Sequence, residues 1–224
     1  MPRRGDFHIG AALLAGRIRP NLEATGLRRT DTNMTDILLT MISAALLNNL
    51  ALHWPLGVDP LLNAPQVRRR VHALGLASAV LMLISGSVGY ALYHWLLVPL
   101  ELGALQLFVF LPLSVLLIAP VLRLLGRALP GWSFTGLWPL LLGNAGILGV
   151  ALLNAQHDPG LAQAIALSLG GGLGFWLVLS LFSDLRMRIR DNDIPTPFRG
   201  LPIELIGAGL MAVVFLGFSG LIKT

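Results

Sequence analysis

Apolar residues fill six long stretches of this chain, and charged residues are concentrated in the connections between them. Each stretch approaches the roughly 20 residues that an α-helix needs to cross about 30 Å of hydrocarbon. The alternating pattern of a membrane β-barrel is not visible. The pattern therefore predicts an all-α membrane protein with about six transmembrane helices. The predicted spans cover residues 37–56, 71–97, 102–122, 137–153, 161–182 and 203–222.

Two of these spans contain polar interruptions. Asn48 and Asn49 lie in the first span, and Gly143 and Asn144 lie in the fourth. Helix-breaking residues are tolerated inside a bilayer only where protein or water satisfies the freed backbone groups. Counted from the first interruption up to the second there are about three spans, and an odd number makes the second copy run in the opposite direction to the first. This spacing predicts two inverted three-helix repeats, about 34–127 and 128–224, with interrupted first helices that meet at one midplane site.

Composition narrows the function classes. The chain is 55% hydrophobic and only 12% charged, whereas about a quarter of the residues in a soluble domain are charged. It has no cysteine, so disulfides, thiolate metal sites and cysteine nucleophiles are excluded. The net charge of +5 comes from arginines spread among the connections. No basic stripe with interleaved aromatic residues is present, so a nucleic-acid partner is not expected.

The charges also predict an orientation. Basic residues follow the first, third and fifth spans, while the connections around Glu101 and Asp158 contain no lysine or arginine. The positive-inside rule therefore places the arginine-rich connections in the cytoplasm, and it places the Met34 end and Thr224 in the periplasm. The residues that carry this assignment are Arg68, Arg69, Arg70, Arg123, Arg127, Arg186, Arg188, Arg190 and Arg199.

Residues 1–33 form an N-terminal extension that holds six of the sixteen basic residues and no span. Its short apolar run is followed by Arg17 and Arg19, which does not fit a signal peptide. Two expectations remain open: a mostly disordered tail, or a chain whose physiological start is Met34. The second is favoured, because a periplasmic Met34 would otherwise require these arginines to be translocated.

Glycines inside the predicted spans indicate close helix packing. Gly170 and Gly174 have GxxxG spacing within an apolar span, and no strand precedes them as a nucleotide-binding loop would require. Small residues at this spacing let helix backbones approach each other in membranes. Gly86, Gly207 and Gly217 are predicted to serve similarly.

From Met34 onward the chain resembles the membrane-subunit family that supplies the A-type subunit of Rnf (Rsx) electron-transport complexes. The same family includes the E-type subunit of the sodium-translocating NADH:quinone reductase. The resemblance is densest at residues 47–60, at residues 139–154 with the run LGVALLN, and at residues 193–221 with the runs DIPTPFRG and GFSGL. The last segment is the most specific, and it favours the A-type subunit.

The resemblance implies a subunit of a complex that moves electrons between ferredoxin and NAD. This transfer would be coupled to sodium or proton transport across the bacterial inner membrane. The implied partners are the B-, C-, D-, E- and G-type subunits of the same complex, together with membrane lipid. The homologous and oppositely oriented E-type subunit is the chief partner among them. No catalytic residues of its own are expected in this chain.

The resemblance also implies a cofactor position. In the family each interruption carries a cysteine, and two cysteines from each of two paired subunits hold a [2Fe-2S] cluster. Here those positions are Asp59 and Ala145. Cluster iron is normally held by thiolates, occasionally with two histidines, so no cofactor is predicted in this chain. His53 is a candidate substitute ligand, although a lone histidine is more often structural.

The remaining polar residues are candidates for an ion site. Asn48, Asn49, Gly143 and Asn144 are predicted to form the midplane site, either by coordinating an ion or by interhelical hydrogen bonding. Glu204 is a weaker candidate for an ion pathway, because the helix dipole also favours a carboxylate in the first turn. Two functions are carried forward: an A-type subunit of an Rnf-type complex, and a membrane scaffold or small-solute or ion transporter that uses the inverted-repeat cavity.

Overall fold

Helices make up all the regular structure in the part of the chain that the structure describes, which confirms the all-α prediction. The structure is a computed structural model, and it describes residues 34–47, 58–65, 67–157, 160–190 and 194–221. The predicted site residues Asn48 and Asn49, and also His53, lie outside the described residues.

Eight α-helices are described. The first runs over Met34–Ile42 (α1) and continues as a π-helical turn over Ser43–Leu47. The others are Val58–Leu62 (α2), Arg68–Leu92 (α3), Gln106–Ala128 (α4), Trp138–Leu142 (α5), Ala145–His157 (α6), Leu161–Arg190 (α7) and Leu201–Leu221 (α8). A π-helical turn, Tyr93–Leu97, extends α3, and 3₁₀ turns lie at Gly103–Leu105 and Thr196–Phe198.

Four helical stretches in the described part are long and apolar enough to cross a membrane. They are Arg68–Leu97, Gly103–Ala128, Trp138–Gln156 and Leu161–Ile189. These stretches match the second to fifth predicted spans, and α8 matches the sixth. The first predicted span is described only over residues 37–47, and α2 follows its predicted end.

The helices extend further than the apolar runs predict. The apolar pattern ends the fifth span at residue 182 and assigns the following arginines to a connection, but α7 continues to Arg190. Arg68 likewise lies inside α3, and Arg123 and Arg127 lie inside α4. Arginine is a good helix former, so a helix that leaves the apolar layer has no local reason to end there. Hydropathy along the sequence therefore predicts where a helix leaves the apolar layer, and it does not predict where the helix ends.

The antiparallel pair α3 and α7 forms the centre of the bundle. Gly75 lies against Trp176, Ala79 against Gly172, and Gly86 against Ser168, so residue numbers rise along one helix as they fall along the other. A Cβ atom at Gly172 would lie 2.7 Å from the Cα atom of Ala79. The two backbones therefore approach each other at a point where only glycine fits.

Each central helix carries one further helix in a parallel direction. The α1 segment packs on α7, with Met41 at Gly170 and Ala45 at Gly174. This contact confirms the predicted packing role of the GxxxG pair. In the same way α6 packs on α3, where Asn144 contacts Ser78 and Ala151 contacts Gly89. These pairings are those expected of inverted repeats, and the full repeat relation remains a prediction.

The second interruption and the α1 segment, which leads to the first predicted interruption, lie at the same level, that is, at the same position along the axes of α3 and α7. The contact between Ala79 and Gly172 is next to Ser78, which binds the second interruption. It is also flanked by Gly170 and Gly174, which receive the α1 segment. The short helices α2 and α5 pack against each other, and their buried leucines belong to one apolar cluster.

Three further glycines of the packing prediction have different outcomes. Gly86 is confirmed, since a Cβ atom there would lie 2.8 Å from a methyl group of Val150. Gly207 is confirmed as well, because the corresponding distance to a methyl group of Leu185 is 3.2 Å. The packing role of Gly217 stays a prediction, because no described atom of a neighbouring helix lies within 4 Å of its Cβ position.

Replacing Gly172 by alanine is expected to destabilise the bundle. The added methyl group has to separate α3 from α7, and overpacking of this kind costs about 1–3 kcal/mol of the free energy of unfolding. Gly209→Ala is the matched control, because no described atom of a neighbouring helix lies within 4 Å of its Cβ position. Unfolding of both variants by sodium dodecyl sulfate in mixed micelles measures the difference. Equal stability of the two variants would contradict the close contact.

Candidate functional site

The second interruption separates α5 from α6 by two residues. The Gly143 N–H donates to the Pro139 carbonyl at 3.1 Å, and the Asn144 N–H donates to the Leu141 carbonyl at 3.2 Å. The Asn144 carbonyl then accepts a hydrogen bond from the Ile147 N–H at 3.2 Å. Because these backbone groups are paired locally, the chain can leave one helix and begin another inside an apolar layer.

Asn144 holds this interruption in place. Its Oδ1 atom accepts a hydrogen bond from the Gly146 N–H at 3.1 Å, which is the geometry of a helix N-cap at the start of α6. Its Nδ2 group donates to the Ser78 hydroxyl of α3 at 3.3 Å. The side chain is buried, with 3% of the residue exposed. One amide therefore starts α6 and ties it to the central pair.

A cavity of about 260 Å³ lies beside the interruption. Gly143 and Ala145 are both exposed and line it. The lining is otherwise largely apolar and includes Leu111, Ser114, Val115 and Ile118 of α4, and Leu141, Leu142, Asn144, Ile147 and Leu148 around the interruption. Interrupted backbone at membrane depth is tolerated only where protein or water covers it. Within the described residues, this face of the interruption is uncovered.

Comparison with known sequences identifies the relatives of the chain. Residues 37–222 match the family described as Rnf-Nqr subunit, membrane protein. The chain belongs to the Rnf-Nqr subunit family. It is therefore a membrane protein, in agreement with the long apolar helices.

Curated members of the Rnf-Nqr family align with nearly the whole described region. A protein of Tolumonas auensis is 35% identical over 192 residues, which cover 85% of this chain and 100% of that protein. A protein of Histophilus somni is 36% identical over the same share of both chains. One from Syntrophotalea carbinolica is 35% identical over 84% of this chain and 99% of its own. Each is named as the A subunit of an ion-translocating oxidoreductase complex.

Asp59 and Ala145 are the predicted positions of the family's cluster ligands. Asp59 lies in α2, and Ala145 is the first residue of α6 and lines the cavity. The methyl side chain of Ala145 has no donor atom, and a carboxylate at residue 59 offers only oxygen, whereas cluster iron is held by thiolates or histidines. The residues at these two positions do not fit a cluster of the family type.

Glu204 has a basic partner. Its Oε1 atom accepts hydrogen bonds from Nε of Arg186 at 3.0 Å and from Nη2 at 2.9 Å. Both side chains are only 18% exposed. A role for Glu204 in an ion pathway, which remains a prediction, would require this pair to separate.

Asn154 is a buried polar residue that the sequence does not single out as a site residue. It lies in α6 and donates to the Ser168 hydroxyl of α7 at 2.9 Å and to the Gly86 carbonyl of α3 at 3.2 Å. It therefore joins three helices at one point. The available signal is an amide inside an apolar helix, which is the same signal that identifies Asn144.

Asn144→Ala is expected to loosen the second interruption. Loss of an N-cap costs about 0.5–2 kcal/mol, and loss of an interhelical hydrogen bond costs about 0.6 kcal/mol on average. Asn144→Ser is the control, because its hydroxyl retains capping capacity but is too short to keep both contacts. Thermal unfolding in detergent should rank the parent above the serine variant and the serine variant above the alanine variant. An alanine variant as stable as the parent would show that the amide does not hold the interruption.

Proposed function

We propose that this chain is the A-type subunit of an Rnf-type complex that couples electron transfer between ferredoxin and NAD to ion translocation across the bacterial inner membrane. The observation that carries the proposal is an identity of 34–36% over 99–100% of the length of relatives named as the A subunit of an ion-translocating oxidoreductase complex. Similarity along the whole length of these relatives supports a shared place in the complex better than fold alone.

The proposed role of the chain is to align other components rather than to carry out chemistry. The second interruption and the segment leading to the first lie at one level, on either side of the α3 and α7 pair. Because Asp59 and Ala145 lack the donors for a family-type cluster, no electron-transfer step is assigned to these positions. The subunit is non-autonomous, and catalysis belongs to the assembled complex.

The principal proposed partner is the homologous E-type subunit, with the B-, C-, D- and G-type subunits completing the complex. Exposure of Gly143 and Ala145 beside a largely apolar cavity supports this assignment. An apolar helix of a partner would fill that cavity.

The proposed orientation places the arginine-bearing ends in the cytoplasm. Three contacts support a common end: Arg186 reaches the end of α2, Arg68 lies 3.5 Å from Asp184, and Arg70 donates to the Thr135 carbonyl. By the positive-inside rule this end faces the cytoplasm, and the Met34 end and Thr224 then face the periplasm.

The proposed midplane ion site retains Asn48, Asn49, Gly143 and Asn144. Asn144 already uses its side-chain carbonyl oxygen to cap α6. An ion bound there would therefore compete with the Gly146 N–H, and binding would be coupled to movement of the interruption. Glu204 remains a secondary candidate that requires release from Arg186.

The alternative is a membrane scaffold or a small-solute or ion transporter that uses the inverted-repeat cavity. One observation favours it: the family's cluster position at residue 145 has no donor atom and lines an apolar cavity. In this case the chain would function without the other subunits.

Purification of the tagged chain from its native membranes separates the two functions. The proposal predicts that the homologous subunit and the flavin- and NADH-binding subunits purify with it, whereas an unrelated tagged membrane protein retrieves none of them. Recovery of the chain alone, with full transport or scaffold activity, would favour the alternative and overturn the proposal.

Restoring both cysteines tests the cofactor position. The double variant Asp59→Cys with Ala145→Cys is expected to raise the iron content of the purified complex and to produce a paramagnetic signal on reduction, because thiolates are the preferred cluster ligands. The double serine variant is the control. Unchanged iron in the cysteine variant would show that the surrounding cavity no longer accommodates a cluster.

A further inference from the structure

The guanidinium group of Arg186 joins three separate helices. It extends from α7 and donates to Glu204 of α8 through Nε and Nη2. Its Nη1 group donates to the carbonyl of Leu62 at 3.1 Å and lies 3.4 Å from the carbonyl of Ala64. With 18% of its side chain exposed, Arg186 differs from the exposed Arg188 on the same helix. A charge needed only for membrane orientation would have no reason to be enclosed in this way.

The two carbonyls lie at the C-terminal end of α2. The last carbonyl groups of a helix have no partner within the helix, and a basic side chain can satisfy them. Leu62 is the final residue of α2, and Ala64 lies just beyond it. Arg186 therefore caps the short helix that bears the Asp59 position.

A cap from outside is needed because α2 is very short. It contains five residues, whereas isolated helices of fewer than about 12–15 residues are marginal in water. Its position therefore depends on tertiary contacts with α5 and α7 and on the hydrogen bonds from Arg186. The planar guanidinium presents donors on several edges at once, so one side chain can bind Glu204 and the α2 carbonyls together.

We propose that Arg186 is a positioning residue that fixes α2, the short helix that bears the Asp59 position, against α5. Glu204 holds the guanidinium in the orientation that reaches α2. This role is independent of the proposed electron transfer, because it concerns the placement of α2 whether or not the complex carries electrons.

Spin labels test this role, because the chain has no cysteine and labels can be placed at chosen positions. One pair, Asn63→Cys with Leu124→Cys, reports the distance from the end of α2 to α4. A reference pair, Leu96→Cys with Leu161→Cys, reports the distance from the turn that extends the C-terminal end of α3 to the first residue of α7. Both distances are measured by pulsed electron paramagnetic resonance on the full chain in lipid nanodiscs.

The decisive variant combines Arg186→Met with Glu204→Leu. Replacing a buried ion pair by apolar residues of similar size is often neutral or stabilising, so this variant is expected to fold. The proposal predicts that the α2 distance loses its single narrow distribution while the reference distance is unchanged. The control Arg188→Gln should leave both distributions unchanged. An unchanged α2 distribution in the double variant would overturn the proposal.

Two single variants distinguish the α2 cap from the ion pair. Glu204→Gln keeps a side-chain oxygen that can accept from Arg186 and leaves the donors to Leu62 in place, so its α2 distribution should stay narrow. Arg186→Lys retains a positive charge but lacks the fork that reaches both sets of acceptors, so its α2 distribution should broaden. A broad distribution in Glu204→Gln with a narrow one in Arg186→Lys would overturn the cap, because charge pairing alone would then place α2.

Discussion

The structure depends on one constraint: backbone groups exposed by an interrupted helix must find partners within an apolar environment. At the second interruption the chain meets this constraint with Asn144, whose side-chain carbonyl oxygen caps α6 while its amide group binds Ser78. Beyond the first predicted span, Arg186 donates to the carbonyl of Leu62 at the end of α2. Polar side chains at two points thus replace the hydrogen bonds that a continuous helix would provide.

Close packing of the central helices allows these side chains to reach their partners. Gly172 brings the backbone of α7 against Ala79 of α3, and Gly174 brings the same helix against Ala45. Larger side chains at these positions would separate α7 from α3 and from the α1 segment. The glycines therefore fix the level at which the α1 segment and the second interruption lie.

Much of the fold follows from the sequence, because hydropathy and glycine spacing depend on local composition. They locate the spans and the packing role of Gly170 and Gly174. They do not predict the extension of α7 to Arg190, because helix hydrogen bonding continues beyond the apolar run. Hydropathy and glycine spacing also do not predict the pair of Arg186 and Glu204 or the contacts of Asn154. These contacts join separate helices, and local composition does not specify how separate helices pack. Only resemblance to a family assigns a role to Asp59 and Ala145.

The proposed arrangement places both predicted interruptions at one level beside the α3 and α7 pair, with the second interruption covered by another subunit. A cryo-electron microscopy map of the chain purified in its membrane complex tests this claim most directly. Asp59 and Ala145 are expected to lie at one membrane depth, and protein density is expected to cover Gly143. Interruptions at different depths, or Gly143 in contact with lipid, would contradict the claim.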